Sequence, residues 1–197
     1  MSDRSTARPG SAHFGLIAAD VLEDLDGLTL LQQMAAGALP GPPMAETLNF
    51  WIDTVEKGRV VFRGEPKAGF FNPLGTVHGG WAATLLDSCM GCAVHTTLAK
   101  GIGYTTIEIK TNFVRALTLD SGVVEAAGRV THAGRRVALA EGRIVDNQGR
   151  LVATGTTSCL ILGACSWEAD PRRREGPDIL GIRAAGRPRL TPPRLAS

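Results

Sequence analysis

The pattern of apolar and polar residues along the chain predicts one long helix and six strands. The apolar run from Gly80 to about Leu98 has helical length and spacing, and Gly101 and Gly103 end it. Strand-like runs bounded by turn residues lie on both sides of it, at residues 48–52, 59–63, 104–115, 122–131, 135–145 and 150–162. Two early strands, one helix and four late strands form an α+β pattern, in which an antiparallel sheet wraps a central helix.

The two ends of the chain differ in composition from this central part. A short amphipathic helix is predicted at residues 28–36 with Gly37 at its C-terminus, and a Pro-rich stretch at 40–43 then breaks the chain. Residues 1–12 and the Pro- and Arg-rich sequence from Ala164 onward have little apolar surface to bury, which predicts disorder. The predicted organisation is an N-terminal extension, a central domain and a tail, at residues 1–44, 45–163 and 164–197.

Composition and charge argue against several classes of protein. The formal net charge of the 197 residues is +2, which is too small to indicate nucleic-acid binding, and no basic run is interleaved with aromatics in the central part. No apolar stretch reaches membrane-spanning length, and Asp20 interrupts the short apolar run 14–19, which therefore does not resemble a signal-peptide core. A cytoplasmic protein with neither nucleic-acid nor membrane partners is expected.

The four cysteines suit a reducing compartment, in which disulfides are rare. Cys89 and Cys92 match the C-x-x-C spacing of zinc and redox motifs. However, both lie inside the predicted helix, and Cys159 and Cys165 have the wrong spacing for a zinc ribbon. We interpret them as small packing residues. The chain also lacks the His/Glu spacing of a metal site, so no metal and no cofactor are expected.

Residues with catalytic chemistry gather at the start of the long helix. The turn His78-Gly79-Gly80 leads into the helix, Asn72 lies in the loop before it, and Asp87 follows nine residues after His78. Bare N–H groups at a helix start attract a developing negative charge. A carboxylate among apolar residues is costly to bury unless it has a partner or a function. The alternative is an ordinary Asp that faces solvent, preceded by glycines needed only for the turn.

This spacing resembles that of the hotdog-fold thioesterases of the phenylacetate-degradation type, which hydrolyse acyl- and aryl-CoA thioesters. The matching residues are Asn72, the run Gly75-Thr76-Val77-His78-Gly79-Gly80, and Asp87. Further similar stretches lie at residues 103–109, 112–115, 134–136 and 146–151. The resemblance covers about residues 45–163. It implies a hotdog fold, assembled as a homodimer or a dimer of dimers whose active sites are shared between subunits.

The residues around the turn can be given roles in thioester cleavage. Asp87 is the predicted nucleophile or the base that activates water, and the sequence does not choose between these routes. Gly79 is the predicted oxyanion donor, since a glycine lets the thioester oxygen approach a backbone N–H, and Gly80 is a second contact for the substrate. Asn72 would orient the thioester oxygen or the water, unless it only shapes the loop. The resemblance implies a positioning role for His78.

Other residues are candidates for contacts with the attacking water and with the coenzyme A part of the substrate. The resemblance places a hydroxyl that assists the water at Thr106, with Thr105 as the fallback because the loop length is uncertain by one residue. Coenzyme A, which is part of the substrate and not a cofactor, carries phosphates that arginine binds well. Arg115, Arg135 and Arg136 lie at strand ends or in a hairpin and are the predicted phosphate contacts, with ordinary solubility charge as the alternative.

Three functions are compatible with these residues. The first is an acyl-CoA thioesterase. The second is a non-catalytic hotdog module that binds acyl-CoA, against which the presence of both Asp87 and Asn72 argues, because a pure binder needs no buried carboxylate beside a thioester. The third is a hydratase or dehydratase on the same fold, which would need a catalytic His in a different motif from that of His78. Cleavage of a panel of CoA thioesters distinguishes the three.

Overall fold

A six-stranded antiparallel sheet packs against one long helix in the computed structural model, which describes residues 13–164. The strand order in the sheet is β1-β2-β4-β5-β6-β3. The helices and strands, in chain order, are α1 (Ala19–Asp24), α2 (Gly27–Ala35), α3 (Pro43–Thr47), β1 (Phe50–Glu56), β2 (Arg59–Gly64), α4 (Gly79–His95), β3 (Ile102–Phe113), β4 (Val124–Ala133), β5 (Val137–Val145) and β6 (Leu151–Ala164). The predicted α+β hotdog arrangement is confirmed.

The predicted elements occur in the predicted order, with shifted ends. The long helix ends at His95 and not near Leu98, because the Thr96 hydroxyl donates a hydrogen bond to the Ala93 carbonyl and Thr96 acts as the C-cap. Strands β4, β5 and β6 form the predicted meander of hairpins. Strand β3 follows the helix in sequence but pairs only with β6, so it forms one edge of the sheet.

The core lies between α4 and the inner face of the sheet, where a row of glycines lets the two approach closely. Gly128, Gly142 and Gly155 are directly opposite one another on β4, β5 and β6. A Cβ at Gly128 would lie 2.3 Å from the carbonyl oxygen of Cys89, and one at Gly142 would meet the side chain of Met90. The helix backbone therefore rests on bare sheet backbone, and even one methyl group would separate them.

The N-terminal helices cover the other end of this core. Asp26 caps α2 by accepting a hydrogen bond from the Thr29 N–H, and Leu30 and Leu31 are buried, which confirms the predicted amphipathic helix. The division at residues 44 and 163 stays a prediction, and residues 1–12 and 165–197, predicted to be disordered, lie outside the described residues. Within 13–164, none of the helices is long and apolar enough to cross a membrane.

Candidate active site

His78 caps the long helix that carries the candidate carboxylate. Its Nδ1 accepts a hydrogen bond of 2.9 Å from the backbone N–H of Gly80. The side chain thereby satisfies one of the bare N–H groups at the helix start. This contact gives His78 a local structural role and leaves Nδ1 unable to act as a base without breaking the cap.

Packing favours glycine at both positions of the turn, whatever their chemical role. A Cβ at Gly80 would lie 2.9 Å from Nδ1 of His78, where it would push the imidazole out of its cap. A Cβ at Gly79 would lie 3.3 Å from the ring of Phe113 on β3. The Gly79 N–H is the first of the helix, and no acceptor among the described residues engages it. It is thus available to a ligand.

Asn72 shapes the loop that leads to the helix. Its Oδ1 accepts hydrogen bonds from the N–H groups of Leu74 and Thr76, at 2.9 and 3.3 Å, and its Nδ2 donates to the Thr76 hydroxyl at 2.8 Å. The turn is closed by Gly75, whose φ of +79° favours glycine. In a single subunit the Asn72 amide is therefore directed into its own loop, and its predicted contact with substrate stays a prediction.

Asp87 lies on the flank of α4 that faces the edge strand. It is half-buried, and its Oδ1 accepts a hydrogen bond of 2.9 Å from the hydroxyl of Thr106 on β3. Thr105 is exposed, as expected for alternate residues of a strand, so of the two predicted threonines it is Thr106 that contacts the carboxylate. The bond fixes one carboxylate oxygen and leaves the other free to act on a substrate or a water.

The groups behind Asp87 are thiols and a phenol that stay protonated. Burial, and then the charge of the nearby Asp87 carboxylate, raise the pKa of the Cys92 thiol to about 12. Burial also raises the pKa values of Cys89, Cys159 and Tyr104. Cys89 and Cys159 are fully buried, which supports their interpretation as packing residues. Among residues 13–164, no three His, Cys, Asp or Glu side chains are grouped closely enough to hold a metal ion.

A cleft of about 370 Å³ opens at the N-terminus of α4. Its lining is mostly apolar and includes Phe113, which is 53% exposed, and the exposed Arg115. The other lining residues are Val77, His78, Gly79, Ala82, Val114, Ala116, Leu117 and Val152. Sequence reasoning assigned roles to His78, Gly79 and Arg115, whereas for Phe113 it did not choose between a contact with the acyl group and simple packing, because only the sheet register brings the end of β3 against the helix start.

The predicted phosphate-binding arginines do not gather at one place in a single subunit. The Arg115 N–H donates to the carbonyl of Val152 at the start of β6, whereas the carbonyl of Arg136 accepts from the Ile161 N–H near its end. Nine strand residues separate these two contacts, which corresponds to roughly 30 Å. All three arginine side chains are exposed. Arg115 belongs to the cleft, whereas Arg135 and Arg136 lie at the opposite end of the sheet.

The predicted carboxylate, Asp87, and the predicted oxyanion donor, Gly79, are also far apart within one chain. Asp87 follows Gly79 by eight helical residues, a distance of about 12 Å along the helix axis. A thioester carbon in contact with one of them would be out of reach of the other. Each subunit therefore presents a carboxylate half, Asp87 with Thr106, and an N–H half, Gly79 within the cleft.

Comparison with known proteins places the chain among thioesterases. The family model of the thioesterase superfamily matches residues 74–153. A phenylacetic acid degradation-related protein from Ralstonia eutropha JMP134 is 30% identical, with a TM-score of 0.61, over 66% of this chain and 98% of that chain. A Streptococcus mutans UA159 protein solved with acetyl-CoA is 26% identical, with a TM-score of 0.54, over 59% and 90%.

A more distant structure agrees in fold. The PaaI protein from the phenylacetic acid degradation operon of E. coli has a TM-score of 0.62 over 70% of this chain and 96% of that chain, at 21% identity, which supports the fold alone. A search of curated proteins finds no significant match. The family model covers the turn, Asp87 and strands β3 to β5, and the Ralstonia protein is matched over nearly its whole length. The chain therefore belongs to the thioesterase superfamily and has its hotdog fold.

Proposed function

We propose that the protein is an acyl-CoA thioesterase that hydrolyses its substrate to the free acid and coenzyme A. The observation that carries the proposal is the half-buried Asp87, held by the Thr106 hydroxyl at 2.9 Å on a helix whose first N–H is available, in a chain of the thioesterase superfamily. The bound acetyl-CoA of the Streptococcus mutans relative supports a CoA thioester as the substrate class.

In this mechanism Asp87 supplies the attack on the thioester carbon. As a general base, it takes a proton from a water that attacks the carbonyl, and the C–S bond then breaks to release the CoA thiolate, which is protonated. As a nucleophile, its carboxylate oxygen attacks the thioester carbon directly, the C–S bond breaks to release the CoA thiolate, and water then hydrolyses the resulting mixed anhydride to the free acid and the regenerated carboxylate. The Thr106 bond orients the carboxylate in both routes. The Gly79 N–H would stabilise the negative oxygen that develops on the attacked carbonyl, with the helix dipole adding to it.

The separation of the two half-sites supports a site shared between two subunits. Strand β3 is an edge strand of twelve residues with three exposed apolar side chains, Ile107, Ile109 and Phe113, and the exposed Val114 follows it directly. Such an edge is a template for pairing with a second copy. Antiparallel pairing of two β3 strands about a two-fold axis at Lys110 would place Thr106 of one subunit opposite Phe113 of the other, because the bulge between Thr106 and Glu108 adds one residue.

This pairing would complete the site. Thr106 holds Asp87, and Phe113 lies against Gly79, so the carboxylate of one subunit would approach the helix N-terminus of the other. The same axis would bring the sheet end that carries Arg115 in one subunit toward the end that carries Arg135 and Arg136 in the other. All three arginines could then bind the phosphates of one CoA. A homodimer, or a dimer of dimers, is the assembly that we propose.

The proposal is tested by assaying thiol release from a panel of acyl- and aryl-CoA thioesters with Ellman's reagent. We expect turnover with at least one thioester, at rates in the usual enzymatic range of about 1 s⁻¹ or more. Binding of acyl-CoA by calorimetry without any cleavage would make the protein a non-catalytic module. Reversible addition of water to an enoyl-CoA, followed by its absorbance, would make it a hydratase, although His78 with Nδ1 engaged by Gly80 does not favour that reaction.

Alanine at the two turn glycines is expected to separate structure from catalysis. In Gly80→Ala the new methyl displaces His78 from its cap, which should cost about 1 kcal/mol of stability and lower the melting temperature. In Gly79→Ala only the half-exposed Phe113 ring must shift, so stability should change little. Turnover of Gly79→Ala should nevertheless fall by tenfold to a thousandfold, roughly, because the methyl crowds the oxyanion position.

The two variants serve as controls for each other when kcat and the melting temperature are measured on both. The oxyanion role of Gly79 would be rejected if Gly79→Ala kept the turnover of the native protein. It would also be rejected if Gly79→Ala melted well below Gly80→Ala, because the loss of turnover would then follow from a disturbed fold.

A further inference from the structure

A groove of about 490 Å³ crosses the outer face of the sheet, on the side away from α4. Three arginines from three neighbouring strands contribute to it, namely Arg59 on β2, Arg129 on β4 and Arg143 on β5. The remaining lining residues are Asn112, Ala127, Gly128, Glu141, Gly142, Thr154, Gly155 and Thr156. Its volume lies in the range of small-ligand sites in proteins, about 300–1,000 Å³.

The arrangement of the arginines is unfavourable in the absence of an anion. Arg59 and Arg129 are directly opposite each other on adjacent antiparallel strands. Like charges in directly opposite positions are destabilising. Arg143 lies diagonally from Arg129 on the next strand, since Arg129 pairs with Glu141. Three guanidinium groups are thereby placed within about one or two residue spacings of one another on a single face.

Nearby carboxylates offset this charge only in part. Arg59 forms an ion pair with Glu56 at 3.2 Å, and Arg129 forms one with Glu141 at 2.7 Å. In the described part of the chain, no carboxylate lies within ion-pair distance of Arg143, which is exposed on the outer face. The groove lining itself contains three guanidinium groups and the one carboxylate of Glu141. This excess of positive charge favours an anionic ligand.

The floor of the groove is made of small and polar residues that let a ligand approach the sheet. The cross-strand row Ala127, Arg143, Thr154 and Asn112 passes through it, so Arg143 is flanked by a methyl group on one side and a hydroxyl on the other. Thr154, Thr156 and Asn112 offer hydrogen-bond donors to phosphate oxygens. The guanidinium groups offer the planar pairs of N–H donors that bind phosphate bidentately.

This groove is separate from the proposed catalytic site. Asp87 and Gly79 belong to α4, which packs on the inner face of the sheet, and side chains on successive strand residues point to opposite faces. We propose that the groove is a second site that binds an anion with two linked phosphates, of the class of a nucleoside diphosphate. Two opposed guanidiniums with a third on the next strand suit two joined phosphates better than a single one.

Isothermal titration calorimetry of the whole chain with pyrophosphate, ADP, AMP and adenosine tests the proposal. Pyrophosphate and ADP should bind, AMP should bind more weakly, and adenosine should give no heat. Binding should weaken as salt is raised. Arg143→Gln and Arg59→Gln should each weaken pyrophosphate binding about tenfold or more, because each removes a charge-assisted contact. Lys57→Gln, which removes an exposed charge from the β1–β2 turn outside the groove, is the matched control and should bind as the native chain does.

Two further measurements distinguish this site from the proposed active site. Asp87→Asn should bind pyrophosphate normally, and Arg143→Gln should keep the native KM for a CoA thioester. A raised KM in Arg143→Gln would mean that the groove holds the phosphates of the substrate and would overturn a separate site. The proposal would also be overturned if the native chain did not bind pyrophosphate at millimolar concentration, or if Lys57→Gln weakened pyrophosphate binding as much as Arg143→Gln does. A third contrary outcome is a changed oligomeric state of Arg143→Gln in the absence of any pyrophosphate binding. None of these binding results depends on whether the protein cleaves thioesters.

Discussion

Asparagine at position 87 is expected to lower the turnover of a CoA thioester by about a hundredfold or more, because the variant has neither a nucleophilic carboxylate nor a base. The side chain is half-buried and accepts the Thr106 hydroxyl at 2.9 Å, and an amide oxygen can accept the same bond. The fold should therefore survive, and the melting temperature should stay within a few degrees. Steady-state kinetics and calorimetry on the same preparation measure both effects.

Asp24→Asn is the control, since Asp24 forms an exposed ion pair with Lys100 on another part of the surface. It should keep its activity. If Asp87→Asn retained most of the native turnover, the carboxylate of Asp87 would have no part in the mechanism. If Asp87→Asn did not fold, the same measurements would be made on Asp87→Ser, which also lacks the carboxylate and has a smaller side chain.

Mixing of two inactive variants extends this experiment to the shared site. Asp87→Asn and Gly79→Ala, refolded together, should regain up to about a quarter of the native activity if each site takes one residue from each subunit. Half of the random dimers then combine both variants, and one of their two sites is intact. If both residues of a site came from one subunit, the mixture would stay as inactive as its components.

The second large effect is expected on stability, from alanine at Gly128. The new methyl would lie 2.3 Å from the Cys89 carbonyl oxygen and 2.6 Å from the Met90 nitrogen, both of them helix backbone that cannot rotate away. The helix must move off the sheet, so the loss should exceed the 1–3 kcal/mol, roughly, of ordinary overpacking. Much of the protein should be insoluble, and what is soluble should melt far below the native chain.

Gly163→Ala is the matched control, because it too lies in a strand, and a Cβ there meets no atom of residues 13–164 within 4 Å. Its free energy of unfolding should stay within about 0.5 kcal/mol of the native value. Urea titrations of the two variants give the comparison. Similar unfolding midpoints for Gly128→Ala and Gly163→Ala would show that the helix does not rest on the glycine row as closely as 2.3 Å implies.

Local patterns were sufficient to predict the long helix and the six strands, and they named the candidate site residues. The apolar run after Gly80 has helical spacing, the later runs have strand spacing, and both are properties of neighbouring residues. The joint spacing of Asn72, the His-Gly-Gly turn and Asp87 indicated a thioesterase, and the chain belongs to that superfamily. The order of the hairpin strands also follows from short turns, which leave few alternatives.

The structure decided what depends on contacts between residues distant in sequence. Strand β3 pairs with β6 at the sheet edge, and this register brings Thr106 to Asp87 and Phe113 to Gly79. Contacts with the two ends of β6 place Arg115 far from Arg136 in one subunit, and the pairing of β2 with β4 places Arg59 opposite Arg129 on the outer face.

Such pairings are set by packing of the whole sheet on α4, since a shift of one residue would turn every side chain to the opposite face. Sequence spacing carries no information about that choice. The sequence therefore supplied the candidate residues for the chemistry, and the tertiary structure determined which of them meet.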